Sequence, residues 1–428
     1  MERLPLELLV LVCSFLPREL VPQFRLVARK FAAAGTQYLV AGFRVYLTER
    51  HLRRLTQFAK TSFAQDVCTL EYVATTFKSV PDHTVARHRT HLRIIDEQAA
   101  IQNRRAESSC FLHALDCFPR LKNIVLFCSS KSFDYYHWKD DDAFEGLARP
   151  PTCKEYPLSC LHIDELIEAY KERASSRRLE ILLRVLSHTA NEIQGLAVFS
   201  LDWHFFQRDD RELTRLLAPL QKLQHLYLEI DNDWPSWRDD PDDSDLGDSD
   251  FMACRSFMQQ GVLARCLSSL KELRTLKVSF TRCDKYEYTD TMRSARLTKV
   301  MPADLTWSHL TLLWLAHMET SRQELTGTLL RHKDTLRETW IEGICLRASC
   351  WTRLLPELRD SLNLTKATFD GVITGHYEDE EDGMYQAMQL WNFWQQRGLR
   401  LEVEQYVIRG GVDSPSTCPL TFENDLFT

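Results

Sequence analysis

Three histidines come closest, among the residues of this chain, to the types and spacing of a metal-ligand set. His83, His88 and His91 lie close together in the sequence. Zinc sites use such imidazole nitrogens, which must be neutral to bind the ion. Arg87 and Arg89 alternate with the histidines, and their charges would repel a cation. We therefore interpret this stretch as a solvated basic helix face, and we expect no metal and no cofactor.

An acidic run is the other possible ligand set. Residues 231–250 contain nine aspartates and one arginine, a net charge of −8. An EF-hand calcium loop needs glycine at its sixth position and a bidentate glutamate at its twelfth. Placing Gly247 at the sixth position puts Leu246 at the fifth and Ala253 at the twelfth, so the run does not fit. Its charge density, with Pro, Ser and Gly, predicts a disordered insertion over 231–250.

The charge balance of the remaining chain limits the partners that we expect. The whole chain has a net charge of −7, and residues 378–382 carry −5 in addition to the run at 231–250. Outside these two runs the chain is slightly basic, which could favour an acidic ligand. This charge is far below that of a nucleic-acid-binding surface, so we expect no nucleic acid partner.

Signatures of catalysis are missing from the sequence. It contains no GxGxxG, no GxxxxGK[ST] and no GxSxG motif, so neither a phosphate cradle nor a nucleophile elbow is indicated. Its thirteen cysteines include no CxxC pair, which favours reduced thiols in the cytoplasm or nucleus. We expect a protein that is not an enzyme. Scattered Ser, His and Asp residues leave open an enzyme built on an unrelated α/β fold.

A short pattern of three apolar positions, spaced as LxxLxL, recurs along the chain. Helical patterns lie between copies, at 324–332 and 354–362, and an extra helical stretch covers 85–115. Strands that alternate with helices predict a parallel sheet backed by helices, and a recurring unit of this kind predicts an irregular repeat solenoid. Residues 399–408 are expected to form a final strand. The copies are 67–72, 121–126, 158–163, 193–198, 223–228, 273–278, 310–315, 336–341 and 364–369.

The middle residue between the last two apolar positions of each copy would face away from the helices. Tyr and Trp at such positions are candidate contact residues, since they combine a wide apolar surface with one polar group. We expect Tyr227, Lys277, Trp314 and Trp340 to bind a partner; the alternative is that loops, or a segment with Trp391 and Trp394, cover the tryptophans. The outward positions are Val125, His162, Ala197, Tyr227, Lys277, Trp314, Trp340 and Thr368.

The amino-terminal segment contains an unusually apolar helix pattern. Apolar residues from Leu8 to Leu16 cover nearly the whole circumference, so the helix must be covered by protein or by a membrane. Pro17 ends this helix, Pro22 suits the first turn of the next one, and Gly35 is a plausible C-terminal cap. A signal peptide is disfavoured because acidic residues precede the apolar run. No stretch reaches the roughly 20 apolar residues of a membrane span.

The order of these residues resembles an F-box. The matching elements are Leu4-Pro5, Glu7-Leu8-Leu9, Phe15-Leu16, Glu19-Leu20 and Arg29-Lys30-Phe31. Ala28 stands where cysteine is common, and Glu19 where aspartate is common. The array behind it resembles the degenerate leucine-rich repeats that follow the F-box in many fungal proteins. The resemblance implies that a Skp-family adaptor is contacted by Leu4, Pro5, Leu8, Leu9, Val12, Leu16 and Leu20.

These resemblances imply the substrate receptor of an SCF-type ubiquitin ligase. The domains would be an F-box at 1–41, a leucine-rich-repeat-like domain at 42–409 and a tail at 410–428. Its partners would be the adaptor, cullin through the adaptor, and an unknown protein substrate, with no membrane. We expect a cytoplasmic or nuclear location. Two alternatives stay open: a scaffold that acts outside the ligase, and the unrelated enzyme.

Overall fold

The computed structural model describes residues 4–16, 20–39, 42–75, 85–128, 174–231, 244–281, 293, 295–347, 349–376, 388–408 and 417–420. The chain forms two compact units, Met1–Leu196 and Ala197–Thr428. The expected domain boundary at residue 41 stays a prediction. The predicted copy at 158–163, the second acidic run and most of the tail lie outside the described residues.

The first unit combines helices with a parallel sheet. Its strands are β1 (Gly42–Tyr46), β2 (Thr69–Val73) and β3 (Asn123–Phe127), and β2 pairs in parallel with both neighbours. The helix α5 and its successor α6 confirm the helical stretch expected over 85–115. The helices are α1 (Leu6–Ser14), α2 (Val21–Arg25), α3 (Arg29–Leu39), α4 (Glu49–Phe58), α5 (Val85–Asn103), α6 (Ala106–Asp116) and α7 (Ala174–Leu186).

The first three helices pack around a small apolar cluster. Leu9 and Cys13 of α1 meet Phe31 and Ala34 of α3, and all four are buried. Pro22 lies in the first turn of α2, as expected. Gly35 does not cap a helix, because it lies inside α3. Its missing side chain makes room for a neighbouring helix, since a Cβ there would meet the Cγ of Arg25 at 2.5 Å.

The second unit contains two sheets. In the larger one, the order of the strands is β4, β5, β6, β7, β9 and β11, and the pairs from β5 to β11 are parallel. The smaller sheet has the order β13, β12, β10 and β8. The strands are β4 (Gly195–Asp202), β5 (His225–Asp231), β6 (Thr275–Phe280), β7 (Leu312–Ala316), β8 (Glu319–Ser321), β9 (Glu338–Glu342), β10 (Cys345–Arg347), β11 (Lys366–Asp370), β12 (Val372–His376) and β13 (Met388–Asn392).

Helices separate the strands of the larger sheet along the chain. The sequence signals that start them are clear in α12, where Ser321 and Glu324 form a capping box. The helices of this unit are α8 (Asp210–Leu217), α9 (Ser244–Met258), α10 (Val262–Ser268), α11 (Leu297–Val300), α12 (Arg322–Leu330), α13 (Trp351–Ser361) and α14 (Arg397–Val407). The expected α/β class with a parallel sheet backed by helices is therefore confirmed.

The apolar repeat marks strands wherever the structure describes it. In the copies at 67–72, 121–126, 193–198, 223–228, 273–278, 310–315, 336–341 and 364–369, the strand begins at the third residue. The second and third apolar residues of the pattern then lie on the buried face, as Leu313 and Leu315 do in β7. The strand β1 was not expected, although residues 40–45 carry the same three apolar positions at Val40, Phe43 and Val45.

The smaller sheet was also missed by the repeat pattern. Three of its strands, β8, β10 and β12, each follow a turn. The turn residue lies two positions after the last apolar residue of the preceding LxxLxL copy. His317, Gly343 and Gly371 occupy this place, and each has a positive φ, of 56°, 55° and 71°. The turns stack, because the amide of His317 donates to the Glu342 carbonyl and that of Gly343 to the Asp370 carbonyl. A left-handed residue therefore directs the chain from one sheet into the other.

Two further expectations need correction. Residues 399–408 are not a strand; residues 399–407 belong to the helix α14, whose residues Val403, Tyr406 and Val407 are buried at helical spacing, and Ile408 follows its end. In the acidic run, Asp231 ends β5 and residues 244–250 begin the helix α9, where disorder was expected. Residues 232–243 lie outside the described part of the chain. No helix among the described residues is long and apolar enough to cross a membrane.

Candidate functional site

The outward residues predicted from the repeats form one continuous row in the second unit. Pairing of the parallel strands aligns Tyr227 with Lys277, Lys277 with Trp314, and Trp314 with Trp340. Thr368 on β11 continues the row next to Trp340. We call Tyr227, Lys277, Trp314 and Trp340 the central row. The in-register pairing brings together four residues that are far apart in the sequence.

The rings of the central row contact one another. The indoles of Trp314 and Trp340 stack with their centroids 4.2 Å apart and their planes inclined by 13°. The ring of Tyr227 meets Trp314 edge-on at 6.1 Å, and Phe199 of β4 lies 4.7 Å from Tyr227. The Nζ atom of Lys277 lies 4.8 Å from the centroid of the Trp314 ring. This geometry suits a cation–π contact when the amine is charged.

Most of the central row is buried, although an exposed surface was expected. Tyr227 and Trp314 are each 6% exposed and Lys277 is 1% exposed. Trp340 is the member that keeps appreciable exposure. Of the other outward positions, Val125, Ala197 and Thr368 are buried and His162 lies outside the described residues. Within the described chain, the row is a packed layer with one accessible end at Trp340.

Burial changes the acid–base properties of this layer. The pKa of Lys277 is well below its usual range, chiefly because burial disfavours the charged amine. The charge of Lys366 lowers the pKa further, and that of Glu338 partly offsets the effect. The indole Nε1 of Trp314 has no hydrogen-bond partner among the described residues. An unsatisfied buried donor costs free energy, so an acceptor at this point would stabilise the layer.

Trp391 and Trp394 were considered as a cover for the central row. Trp391 is buried in β13, where it pairs with Ile373 of β12 in the smaller sheet. Trp394 lies near Gly371, whose added Cβ would be 3.5 Å from the Cζ2 atom of that indole. Both tryptophans therefore have identified neighbours in or near the smaller sheet.

A second candidate surface lies on the amino-terminal helices of the first unit. Leu8, Leu11 and Val12 on α1, and Phe15 directly after its last residue, follow one face and are exposed, Phe15 to 79%. Leu9 on the same helix is fully buried in the small cluster. We call the four exposed residues the α1 stripe. Its spacing of three and four residues is that of a helix face prepared to meet another surface.

The expected adaptor contacts divide between this surface and the cluster beneath it. Leu8, Val12, Pro5 and Leu20 are exposed, whereas Leu9 is buried and offers no surface to a partner. Leu4 and Leu16 are partly exposed. It adds five exposed apolar residues that sequence reasoning did not select. They are Leu6, Leu11, Phe15, Leu26 and Val27.

Two charged clusters were not anticipated either. In the first unit, Tyr72 and Arg178 both donate hydrogen bonds to the carboxylate of Glu107, and all three residues are buried. In the second unit, Arg255 and Arg347 bind opposite oxygens of Glu319 at 2.8 and 3.1 Å. These residues are far apart in the sequence, so no local pattern indicates their pairing. Each cluster joins separate elements of its own unit.

The structure offers no metal-ligand set in the part of the chain that it describes. No three His, Cys, Asp or Glu residues there are placed to hold an ion. His83 and the side chains of His88 and His91 lie outside the described residues.

No protein-family model matches the sequence, and no curated protein matches it.

Proposed function

We propose that this protein is the substrate receptor of an SCF-type ubiquitin ligase. The α1 stripe is the observation that carries the proposal. An exposed stripe of four large apolar residues is unfavourable in water and marks a place where another protein binds. The residues of this segment also follow the order of an F-box, whose partner is a Skp-family adaptor.

The mechanism of such a receptor is proximity. The adaptor, bound to cullin, would hold the amino-terminal helices. The second unit would hold a substrate protein near a ubiquitin-conjugating enzyme that carries ubiquitin as a thioester. Tethering of this kind raises the effective concentration of a substrate lysine at the thioester to the order of millimolar. In this proposal the chain forms and breaks no covalent bond itself.

The substrate would meet the accessible end of the central row. Trp340 retains exposure, and Glu338 and Lys366 lie near it on β9 and β11. A large aromatic side chain beside two opposite charges can provide both apolar contact and orientation. Tyr227, Lys277 and Trp314 would then support Trp340 from below, because the stack fixes the orientation of its ring.

The adaptor test uses residues of the α1 stripe, which are exposed in the structure. The triple variant Leu8→Ala, Val12→Ala and Phe15→Ala removes apolar contact surface without opening the buried cluster. We expect its affinity for a purified Skp-family adaptor, measured by calorimetry, to fall at least about tenfold, since buried apolar anchors dominate such interfaces. Unchanged affinity would exclude the proposed docking surface.

The matched control is Leu112→Ala, which truncates an exposed leucine on α6 of the same unit. It should leave adaptor binding unchanged. Circular dichroism should show the same helix content for the control and the triple variant. Pull-down with purified cullin then separates ligase from scaffold: a ternary complex supports the receptor, whereas adaptor binding without cullin supports a scaffold acting outside the ligase.

A further inference from the structure

A buried histidine joins two backbone segments of the second unit. His332 lies on the turn that follows α12, and its side chain is 2% exposed. The amide of Trp307 donates to its Nε2 atom at 3.2 Å, and its Nδ1 atom lies 3.0 Å from the carbonyl oxygen of Thr328. A carbonyl oxygen can only accept, so the ring proton is on Nδ1 and Nε2 is the acceptor. The two backbone contacts therefore fix a neutral imidazole in one tautomer.

The residue before this histidine holds the same stretch of chain. We call residues 302–311, which connect α11 with β7, the β7 loop. The Nη1 atom of Arg331 donates to the carbonyl oxygen of Pro302 at 2.6 Å and also to that of Ala303. Arg331 thus holds the first residues of the β7 loop, and His332 holds a later one. We call this pair of side chains the loop clasp.

The indole of Trp307 anchors the β7 loop on the other side. The ring is buried, and its Nε1 atom donates to the carbonyl oxygen of Leu270, which follows α10, at 2.5 Å. The indole also stacks on the imidazole of His332, with 5.6 Å between the centroids and 21° between the planes. The backbone of this residue therefore depends on the clasp, whereas its side chain is held separately.

A proton on Nε2 of His332 is incompatible with this arrangement. It would remove the acceptor of the Trp307 amide and place a second positive charge next to Arg331. The pKa of His332 is lowered chiefly by burial; the hydrogen bond to Thr328 raises it, and the charge of Arg331 lowers it. The geometry and the charges therefore both favour the neutral ring while the loop is closed.

Other charged groups near the clasp do not compensate for such a proton. Among the described residues, Arg331 is the charged group that acts on the imidazole, and Asp304 of the β7 loop acts on Arg331 in turn. Lys271 and Glu272, next along the chain after α10, are exposed. A protonated ring would therefore have no carboxylate partner within this part of the described chain.

We propose that the loop clasp is acid-sensitive, and that the β7 loop is released when His332 is protonated. An open loop leaves the imidazole in water, with the usual histidine pKa of about 6.5. The closed loop is fully stable above that pH and loses stability as the pH falls below it, by up to about tenfold in the opening equilibrium per pH unit. Opening would free the segment that enters β7, the strand of Trp314. This inference does not depend on the proposed ligase function.

Hydrogen–deuterium exchange of the full chain tests the clasp, since exchange reports on local opening. The peptide covering 302–311 is followed at pH 7.5 and pH 5.5, and each rate is divided by the intrinsic rate at that pH. His332→Gln removes the titration and retains a side-chain acceptor. His309→Asn is the matched control, because it replaces an exposed histidine of the same loop. The peptide covering 351–361, in α13, reports on opening elsewhere in the unit.

In the unmodified protein and in His309→Asn, we expect the corrected exchange of the loop peptide to be roughly five- to tenfold faster at pH 5.5 than at pH 7.5. In His332→Gln it should be the same at both pH values, and the α13 peptide should not change in any of the three. An unmodified protein without this acceleration would overturn the proposal whatever the variants do. An equal acceleration in His332→Gln, or in the α13 peptide, would also overturn it.

Discussion

The indole rings of Trp314 and Trp340 stack on neighbouring parallel strands, with their centroids 4.2 Å apart. The two residues come from different repeats, and the strand register places them directly opposite each other. One partner of the stack is buried and the other retains exposure. Trp314 should therefore contribute mainly to stability, and Trp340 mainly to binding.

Trp314→Ala should destabilise the fold more than Trp340→Ala. Removing a buried tryptophan costs about 3–5 kcal/mol, because a cavity remains where the ring was. Removing Trp340 loses mainly the aromatic pair, which is worth about 0.5–1.5 kcal/mol beyond its buried area. Urea unfolding of both variants measures the difference, with Trp340→Phe as the control that keeps an aromatic ring. Equal losses for the two alanine variants would contradict this assignment.

Lys277→Met should make the protein less sensitive to pH. Burial lowers the folded-state pKa of Lys277, so the unfolded chain holds more protons below the usual lysine value of about 10.4. The stability of the unmodified protein should therefore rise with pH from the folded-state pKa toward that value, and fall as the pH is lowered again. Methionine keeps the length of the side chain and removes the titration.

Urea unfolding from pH 7 to pH 10 tests this prediction. The stability advantage of Lys277→Met over the unmodified protein should be largest at the low end and shrink as the pH rises. Lys299→Met, which replaces an exposed lysine on α11, is the control and should follow the unmodified protein. A constant difference across the pH range would contradict this prediction, because it would mean that the pKa of Lys277 is the same in the folded and unfolded states.

The repeat pattern accounts for the strands of the larger sheet, but not for the smaller one. Leu310, Leu313 and Leu315 mark β7 because their spacing buries one face of a strand. The strands β8 and β10 are each three residues long, too short to show a period. Gly343 and Gly371 were the available signal, since glycine at the same place in successive copies indicates a left-handed turn.

Local sequence patterns also gave a wrong prediction for the helix α14 and for the exposure of the central row. Leu399, Leu401 and Val403 alternate with other residues as in a strand, yet the buried spacing continues to Tyr406 as in a helix. The alignment of the central row follows from the repeat spacing. Its burial does not, because the cover over a sheet face comes from chain that is distant in the sequence. The charge pairing of Glu107 with Arg178 is non-local for the same reason.

Arg178→Met should destabilise the first unit strongly, whereas Arg178→Met combined with Glu107→Met should not. Removing one partner of a buried ion pair costs about 3–5 kcal/mol, because the remaining charge is left in an apolar environment. Replacing both charges with apolar groups of similar size is often neutral. Burial already raises the pKa of Glu107 despite the nearby arginine, which shows how costly its charge is.

A double-mutant cycle measured by urea unfolding tests this pair. Arg178→Met and Glu107→Met should each unfold at a much lower urea concentration, and the double variant should recover most of the loss. Tyr72 donates to the same carboxylate at 2.6 Å, so Tyr72→Phe in both backgrounds reports on its share of the network. Additive losses in the double variant would mean that the two side chains do not stabilise each other.

Gly343→Ala and Gly327→Ala should change stability in opposite directions. Gly343 has a φ of 55°, where an L-residue is strained by about 1–2 kcal/mol, and its added Cβ would clash with the Nδ1 atom of His317. Gly327 lies inside the helix α12, and nothing lies within 4 Å of its added Cβ. Alanine there should stabilise the helix by about 0.5–1 kcal/mol, because it reduces the backbone entropy lost on folding. Thermal unfolding of both variants measures the two signs, and a Gly343→Ala variant as stable as the unmodified protein would contradict the left-handed turn that joins the two sheets.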